Sequence, residues 1–365
     1  MSKFTIKTSK LQSMLNKAIK CSGNGAINVL TAMVHVELEN NVLRLTTTDI
    51  NNYLTIIAND IPGDDVSFTV SVEKFSKLVS KTSTEEVSIS VNDEYISITG
   101  NGTYKIPLQF DVNGEQIRYP NHEINTPDES GAIKVSTIKN IILHNKPELA
   151  VTDEEPCLTG YFCTDECTVS ADTFNICRND VALFKTDLLV QPLVFDLLSM
   201  SLDDEISYKL SDNDILFESA SIKLFSHLME GKEKYSKLMT VVNDCAETEY
   251  VSTCVLPKTA LLNVIDRLSL FIGDNDENGV YMTFTKNGVK VETINGSAIE
   301  SIPYQSSDNF KDFRCLIGVD SLKRQLSSVV GEAVNVHYGG TQKTVTIKQD
   351  SATHIISLLK DGKAD

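Results

Sequence analysis

SVEKFSKLVSKTSTEEVSISVNDEYISIT, residues 71–99, contains one copy of the pattern that decides the fold. Between residues 71 and 82, apolar residues recur at helical spacing and predict an amphipathic helix with one buried stripe. From 87 to 91, apolar and polar residues alternate, as they do in a strand with one buried face. The turn Asn92-Asp93 then leads into a second alternating run. The stretch therefore predicts a helix followed by a β-hairpin.

Five further hairpins of the same kind are predicted along the chain, and together they show a repeat. The six turns fall at Asn40-Asn41, Asn92-Asp93, Asp165-Glu166, Asp212-Asn213, Asn287-Gly288 and Gly339-Gly340. Every second turn lies about 120 to 127 residues from its counterpart, which is one third of the 365 residues. We therefore expect one domain repeated three times.

Each hairpin is preceded by a strand and a helix-sized amphipathic segment, so the repeating unit is βαβββ and occurs twice in each domain. The six helical segments are predicted at residues 9–21, 71–82, 136–147, 191–201, 257–269 and 319–330. Ser9, Ser71 and Ser136 are predicted N-caps. Two helices packed on two antiparallel sheets would close one core per domain, which is an α+β fold.

Two connecting segments, residues 119–129 and 243–249, do not continue either periodicity and contain proline or acidic residues. We interpret them as linkers. The predicted domains are 1–127, 128–247 and 248–365.

Charge is distributed unevenly over the chain, whose formal net charge is −17. The six helical segments contain 12 basic and 4 acidic residues, so the rest of the chain carries all the acidic excess. The basic residues are Lys10, Lys17, Lys20, Lys74, Lys77, Lys81, Lys139, Lys146, Lys258, Arg267, Lys323 and Arg324. If the helices face one way, these side chains form a positive surface that attracts phosphates without reading bases. The alternative is that they are simply solvated.

Composition narrows the class of protein. Hydrophobic content of 41% and a charged fraction of 23% are ordinary for a globular protein, and no apolar run approaches the roughly 20 residues of a membrane helix. The first residues lack the apolar stretch of a signal peptide, so we expect a cytoplasmic protein without a membrane partner. Eight cysteines, four of them between 157 and 177, are interpreted as reduced thiols, with a metal site as the less favoured alternative.

No catalytic motif is present: the sequence contains no GxxxxGK[ST], GxSxG or HExxH pattern. We therefore predict a protein that is not an enzyme and needs no cofactor or metal.

Several segments resemble the bacterial DNA sliding clamp, the β subunit of DNA polymerase III. They are residues 4–11, 43–49 and 72–79, taken in their order and spacing within the three-fold βαβββ layout. The resemblance covers essentially the whole chain and fits a divergent member, of bacterial or phage origin. It implies helices lining a ring, with the antiparallel sheets outside. It also implies a DNA polymerase processivity factor that encircles double-stranded DNA, independent of sequence, as a head-to-tail homodimer.

The resemblance further implies a pocket that binds a peptide of the replicative DNA polymerase or of the clamp-loader ATPase. In the family's TDGHRL signature, which matches residues 171–176, only Asp172 is retained here, and Ile176 replaces leucine. The implied pocket residues are Leu158, Ala171, Thr173, Phe174, Asn175, Ile176, Lys237, Leu238, Thr344, Ile355, Ser357, Leu358 and Leu359. The alternative for the apolar residues in this set is that they simply pack in the core or within a strand.

For the contact between subunits, the resemblance implies an edge strand around residues 104–108 and a second one around 298–302. The implied interface residues are Tyr104, Ile106, Leu108, Phe271, Ile272, Ile299 and Ile302. Two other functions stay open at this point. One is a non-enzymatic, repeat-built structural or protein-interaction scaffold, and the other is a metal-dependent hydrolase using Asp274 and Asp276.

Overall fold

The structure is a computed structural model. It describes residues 2–26, 28–111, 113–117, 119–152, 155–172, 174–272, 278–340 and 343–360. The chain forms two compact units, one of Met1–Lys139 with Leu193–Leu228 and the other of Asn140–Pro192 with Met229–Asp365. The division into three domains at residues 127 and 247 stays a prediction. Thr173, Asp274 and Asp276 lie outside the described residues.

Seven α-helices are found in the described ranges. They are α1 (Thr8–Ala18), α2 (Val72–Ser80), α3 (Val135–Asn145), α4 (Pro192–Leu198), α5 (Lys232–Glu247), α6 (Lys258–Ser269) and α7 (Val319–Ser328). Four short 3₁₀ turns accompany them, at Ile19–Cys21, Val29–Ala32, Lys146–Glu148 and Pro156–Thr159.

The strands are numbered in chain order. The first eight are β1 (Ser2–Lys7), β2 (Met33–Glu39), β3 (Val42–Thr48), β4 (Asn52–Ala58), β5 (Val66–Ser71), β6 (Glu86–Val91), β7 (Tyr95–Thr99) and β8 (Thr103–Pro107). The next eight are β9 (Glu129–Lys134), β10 (Tyr161–Cys163), β11 (Thr168–Ala171), β12 (Asn175–Asn179), β13 (Leu188–Val190), β14 (Glu205–Leu210), β15 (Asp214–Glu218) and β16 (Ile222–His227). The last are β17 (Ser252–Pro257), β18 (Gly279–Thr285), β19 (Gly288–Thr293), β20 (Ile299–Pro303), β21 (Gln305–Ser306), β22 (Phe313–Gly318), β23 (Ala333–Tyr338), β24 (Thr344–Gln349) and β25 (Ala352–Ser357).

The predicted βαβββ unit occurs six times in this order of elements, which confirms the α+β fold of repeated domains. The copies begin at β1, β5, β9, β13, β17 and β22, and they end at β4, β8, β12, β16, β20 and β25. Only α5 and β21 lie outside the pattern among the described elements.

Every sheet is antiparallel. The first unit contains an eight-stranded sheet, β5-β2-β3-β4-β16-β15-β14-β9, and a four-stranded sheet, β1-β6-β7-β8. The second unit contains a nine-stranded sheet, β13-β10-β11-β12-β25-β24-β23-β17-β21, and a four-stranded sheet, β20-β19-β18-β22. In each large sheet the last strand of one repeat pairs with the last strand of another, β4 with β16 and β12 with β25.

The helices form because each buries the apolar stripe that its sequence predicts. In α2 the buried residues include Val72, Phe75 and Val79, and Ser71 Oγ accepts a hydrogen bond from the backbone N–H of Lys74 at 3.4 Å. Burying such side chains contributes about 1.5 to 3 kcal/mol each. In the second unit the stripes of α6 and α7 pack into one core with β18, β19 and β22.

Two predicted N-caps are wrong. Because β1 and β9 run directly into α1 and α3, these helices begin at Thr8 and Val135, and both Ser9 and Ser136 lie inside the first helical turn. Only Ser71 of the three serines caps its helix through its side chain.

The six hairpins are confirmed, with one shift. Asn40 and Asn41 have φ angles of 52° and 61°, as a two-residue turn with the twist of the flanking strands requires. At the fifth hairpin, Gly288 belongs to β19, so that turn lies one residue earlier than predicted. The sixth turn extends into residues 341–342, which are outside the described ranges.

Helix α5 corrects the predicted linker at 243–249, because residues 243–247 are its last turn. Its buried face carries Tyr235 and Val242, seven positions apart, with the half-buried Leu238 between them. This apolar spacing was present in the sequence. The segment was not recognised as a helix because it lies between the last strand of one repeat, β16, and the first strand of the next, β17, and so is not part of the repeated pattern.

Candidate nucleic-acid and protein interfaces

The predicted cationic helices do bring most of their basic side chains to the surface. Exposed residues are Lys10, Lys20, Lys74, Lys77, Lys81, Lys139, Lys146 and Arg267, and partly buried ones are Lys17, Lys258, Lys323 and Arg324. Burial lowers the pKa of Lys17, and the neighbouring carboxylate of Asp203 opposes that shift.

In the described part of the chain, the ammonium groups of four of these lysines have no ion-pair or hydrogen-bond partner. Within the residues that the structure describes, the side chains of Lys20, Lys74, Lys81 and Lys139 form no ion pair and no hydrogen bond. All four belong to the first unit, on α2, on α3 or directly after α1 and α2. A lysine in this state keeps its own counterions and can exchange them for a phosphate.

The basic residues of α6 and α7 are in a different state, because carboxylates of the same unit neutralise three of them. Arg267 donates to both carboxylate oxygens of Glu300, at 2.8 and 2.6 Å. Lys323 pairs with Asp266 at 2.7 Å, and Arg324 pairs with Asp172 at 2.6 Å.

Three further basic residues are also engaged. Lys258 Nζ donates to the carbonyl oxygen of Val329 at 2.6 Å, and Lys10 Nζ donates to that of Asn59 at 3.0 Å. Lys77 pairs with Glu73 one turn earlier on α2.

The candidate peptide pocket contains an apolar surface in the second unit. Leu158, Ile176 and Leu238 are partly buried and pack against the same cluster of buried residues. That cluster comprises Cys157, Phe162, Cys167, Val169, Ala171, Leu189, Tyr235 and Val242. The three predicted side chains thus offer partly exposed apolar area over a rigid base.

The base of this surface is fixed by α5. The Tyr235 ring stacks on Phe162 with centroids 5.0 Å apart, and its hydroxyl donates to the carbonyl oxygen of Gly160 at 3.3 Å. Because Lys237 and Leu238 follow Tyr235 on the same helix, this contact sets their positions; Lys237 is exposed.

The loop after β11 is held by Asp172. Its Oδ1 atom accepts from the backbone N–H groups of Phe174 and Asn175, both at 2.7 Å. The same arrangement occurs in the first unit, where Asp49 Oδ1 accepts from the N–H of Asn52 at 2.7 Å. The retained aspartate of the signature therefore has a structural role that the repeat itself requires.

Other predicted pocket residues divide into buried and accessible ones. Ala171, Asn175 and Ile355 are buried, so their side chains offer little surface to a partner. Phe174 is 55% exposed and stands on the rim. The remaining residues, Thr344, Ser357, Leu358 and Leu359, are partly buried on and after β24 and β25.

A neighbouring cavity of about 350 Å³ was not predicted from the sequence. Its wall includes Val241 and Cys245 on α5, Tyr250, and Thr344 and Thr346 on β24. Only Thr344 was among the predicted pocket residues. The apolar stripe of α5 was the signal that could have indicated it.

The predicted subunit contacts lie on two sheet edges. β8 is the last strand of its four-stranded sheet in the first unit, and β20 is the last strand of its four-stranded sheet in the second. Tyr104 on β8 is 44% exposed, and Ile299 on β20 is 53% exposed. Near these edges Phe271 is 54% exposed, whereas Ile272 and Leu108 are partly buried.

Two predicted interface residues face inward. Ile106 is only 5% exposed and Ile302 only 3% exposed, and each is the one fully buried residue of its strand. They can contribute backbone but little side-chain surface to a contact.

The structure also describes the cysteines, the possible metal ligands and the helix lengths. All eight cysteines are free thiols. No cluster of three histidine, cysteine or acidic side chains suitable for a metal ion occurs in the described part of the chain. Among the described helices, none has the length and apolarity to span a bilayer.

Six βαβββ modules, two large sheets that each join repeats of neighbouring predicted domains, and two small sheets with open edges define the sliding-clamp class of fold. The crystal structure of the DNA polymerase sliding clamp from Bacillus subtilis has a TM-score of 0.81 to this chain, with 15% identity and 99% of each chain covered. For the DNA polymerase III subunit beta of Borrelia burgdorferi, the TM-score is 0.83 and the identity 17%, over 99% of this chain and 100% of that one.

The relatives found by sequence are beta sliding clamps. Those of Staphylococcus epidermidis and Staphylococcus aureus are each 22% identical over 391 aligned residues, covering 98% of both chains. No protein-family model matches the sequence. The resemblance to bacterial sliding clamps is therefore confirmed over the whole chain, and at 22% identity it is a divergent one.

Proposed function

We propose that this chain is a DNA polymerase processivity factor. Two copies form a head-to-tail ring around double-stranded DNA and tether the replicative polymerase to it. The observation that carries the proposal is that, in the described part of the chain, the last strands of four repeats pair with one another, whereas β8 and β20 each lie at an open sheet edge.

The pairing rule gives the geometry of the proposed dimer. The last strand of the first repeat in one predicted domain pairs with the last strand of the second repeat in the next domain, as β4 does with β16 and β12 with β25. Continuing the rule pairs β20 of one copy with β8 of another. Since each copy offers one edge of each kind, two copies satisfy both edges and close a heterologous contact.

The sequences of the two open edges support this pairing. Thr103–Pro107 and Ile299–Pro303 each contain a single buried residue, an isoleucine, which is followed by an exposed proline. Lys105 on β8 and Glu300 on β20 have opposite charges, which favours contact between the two edges even though Glu300 also accepts from Arg267 of its own chain.

The lysines on the helices of the first unit support a function on DNA. A protein of net charge −17 repels nucleic acid over most of its surface, so a local set of free lysines directs the duplex to one place. Contacts to phosphates alone carry no sequence information, and a closed ring stays on DNA without tight binding.

The apolar surface of Leu158, Ile176 and Leu238 supports the tether. Together with the exposed ring of Phe174, it suits a short peptide with large apolar side chains from the polymerase. The clamp-loader ATPase would use the same pocket and supply the ATP hydrolysis, since the chain has no phosphate-binding loop.

Two measurements test the ring. Sedimentation at micromolar concentration should give a dimer. After loading, the protein should remain on circular DNA and leave when the circle is cut. A monomer that is not retained on circular DNA would contradict the proposal.

A charge-reversal experiment separates the clamp from a structural scaffold. Lys20→Glu, Lys74→Glu and Lys81→Glu together should abolish stimulation of the polymerase on long templates. The matched control reverses three exposed lysines away from the helices, Lys286, Lys311 and Lys360. If both triple variants stimulate like the unaltered protein, the scaffold is the better explanation.

A further inference from the structure

We infer that the positive charge that contacts DNA is unevenly distributed along the chain. Lysines on and beside α1, α2 and α3 contact the phosphates of the duplex, whereas the cations of α6 and α7 do not, because they already have partners within the protein. This inference rests on the proposed function and states which part of the inner surface carries the contact. The basic residues of the two units have different partners.

The local charge balance differs between the two sets of helices. α1, α2 and the residues that end them contain six lysines, Lys10, Lys17, Lys20, Lys74, Lys77 and Lys81, and one carboxylate, Glu73. α6 and α7 contain four cations, and four carboxylates lie on them or bonded to them: Asp266, Asp320, Glu300 and Asp172. The first set is strongly positive, and the second is neutral.

An existing ion pair weakens a phosphate contact in two ways. The cation must leave its carboxylate, and the loss of that pair opposes the phosphate contact. The carboxylate then stays within a few ångströms of the phosphate and repels it, well inside the Debye length of about 8 Å. For Lys323, the partner Asp266 is itself an exposed helix residue and would face any phosphate that Lys323 reached.

The free lysines have neither penalty. Lys74 and Lys81 are seven positions apart across the end of α2, and Lys20 lies within the 3₁₀ turn after α1. The two helices pack against each other. Each such contact releases about 0.9 of a counterion when it binds duplex DNA.

The salt dependence of binding to a short labelled duplex, measured by fluorescence anisotropy, tests the inference. Lys74→Gln with Lys81→Gln should reduce the slope of log K against log [NaCl] by about 1.8. Lys323→Gln with Arg324→Gln removes the same charge and should reduce it by less than about 0.5. Equal reductions by the two pairs would overturn the inference.

A gain of binding provides the converse test. Asp266→Asn frees Lys323 and should strengthen duplex binding by several fold at low salt, while the dimer persists in sedimentation. An unchanged affinity would overturn the inference. If the unaltered protein shows no salt-dependent binding at all, the proposed function itself fails, which is a distinct result.

Discussion

Arg324 donates from Nη2 to Oδ2 of Asp172 at 2.6 Å, and this ion pair joins α7 to the loop between β11 and β12. Where that loop enters β12, Asn175 Nδ2 donates to Ser321 Oγ of α7 at 3.1 Å. The rim residue Phe174 therefore stands on a loop that is fastened at both ends. The position of a partner peptide would depend on these polar contacts as well as on the apolar surface.

Asp172→Ala should lower the free energy of unfolding by about 2 to 4 kcal/mol. The substitution removes an acceptor for two backbone N–H groups and one guanidinium, and the donors lose charge-assisted hydrogen bonds. Urea unfolding at fixed protein concentration measures the change. Asp165→Ala, in an exposed turn, is the control and should stay within about 0.5 kcal/mol. Equal losses of unfolding free energy in the two variants would show that the Asp172 contacts stabilise the fold no more than an exposed turn residue does.

The fold could be predicted from the sequence because its information is local and repeated. Six apolar stripes and six turns each specify their own element, and an error at one cap, such as Ser136, does not displace the others. The hydrogen-bonding chemistry of the Asp172 loop could not be predicted, because Arg324 lies 152 residues further along the chain.

The candidate sites were predicted less completely, because they too depend on contacts between residues that are far apart in the sequence. Lysines on α7 and on α2 look alike in the sequence, and only the folded chain shows that Asp266 neutralises Lys323. Likewise, the sequence of β8 does not show that Ile106 is buried while Tyr104, two residues earlier, is exposed.

Leu238→Asp should abolish binding of the polymerase's clamp-binding peptide without unfolding the protein. Leu238 is only partly buried, and a carboxylate in the middle of the apolar surface would be desolvated when the peptide binds. Isothermal titration with that peptide measures the loss, which should exceed about 2 kcal/mol. The control is Val29→Asp, an exposed apolar residue of the first unit. Unchanged peptide affinity in Leu238→Asp would place the binding surface elsewhere.

Tyr104→Arg combined with Phe271→Arg should convert the proposed dimer into a monomer. Both side chains are about half exposed in the single chain, so the folded unit should tolerate the change, whereas desolvating added arginines at the two edges opposes association. Sedimentation velocity would show the shift, and circular dichroism would show an intact fold. Leu202→Arg, which is 82% exposed, should remain dimeric. A dimer that survives the double substitution would exclude these edges as the subunit contact.

The stability of the protein should fall as the pH drops from about 6.5 to about 4, partly because of His337. Burial, and secondarily the charge of Lys348, lowers the pKa of His337 from 6.5 to about 4 in the folded chain. Between these values the unfolded chain binds more protons than the folded one, so acidification favours unfolding, by about 1 to 3 kcal/mol for this partly buried group. His337→Gln keeps a partner for the hydroxyl of Thr253, 3.1 Å from His337 Nδ1, but cannot bind that proton. Urea unfolding at both ends of the range should therefore show a smaller loss in His337→Gln than in the unaltered protein. If His337→Gln loses as much as the unaltered protein, protonation of His337 is not coupled to folding.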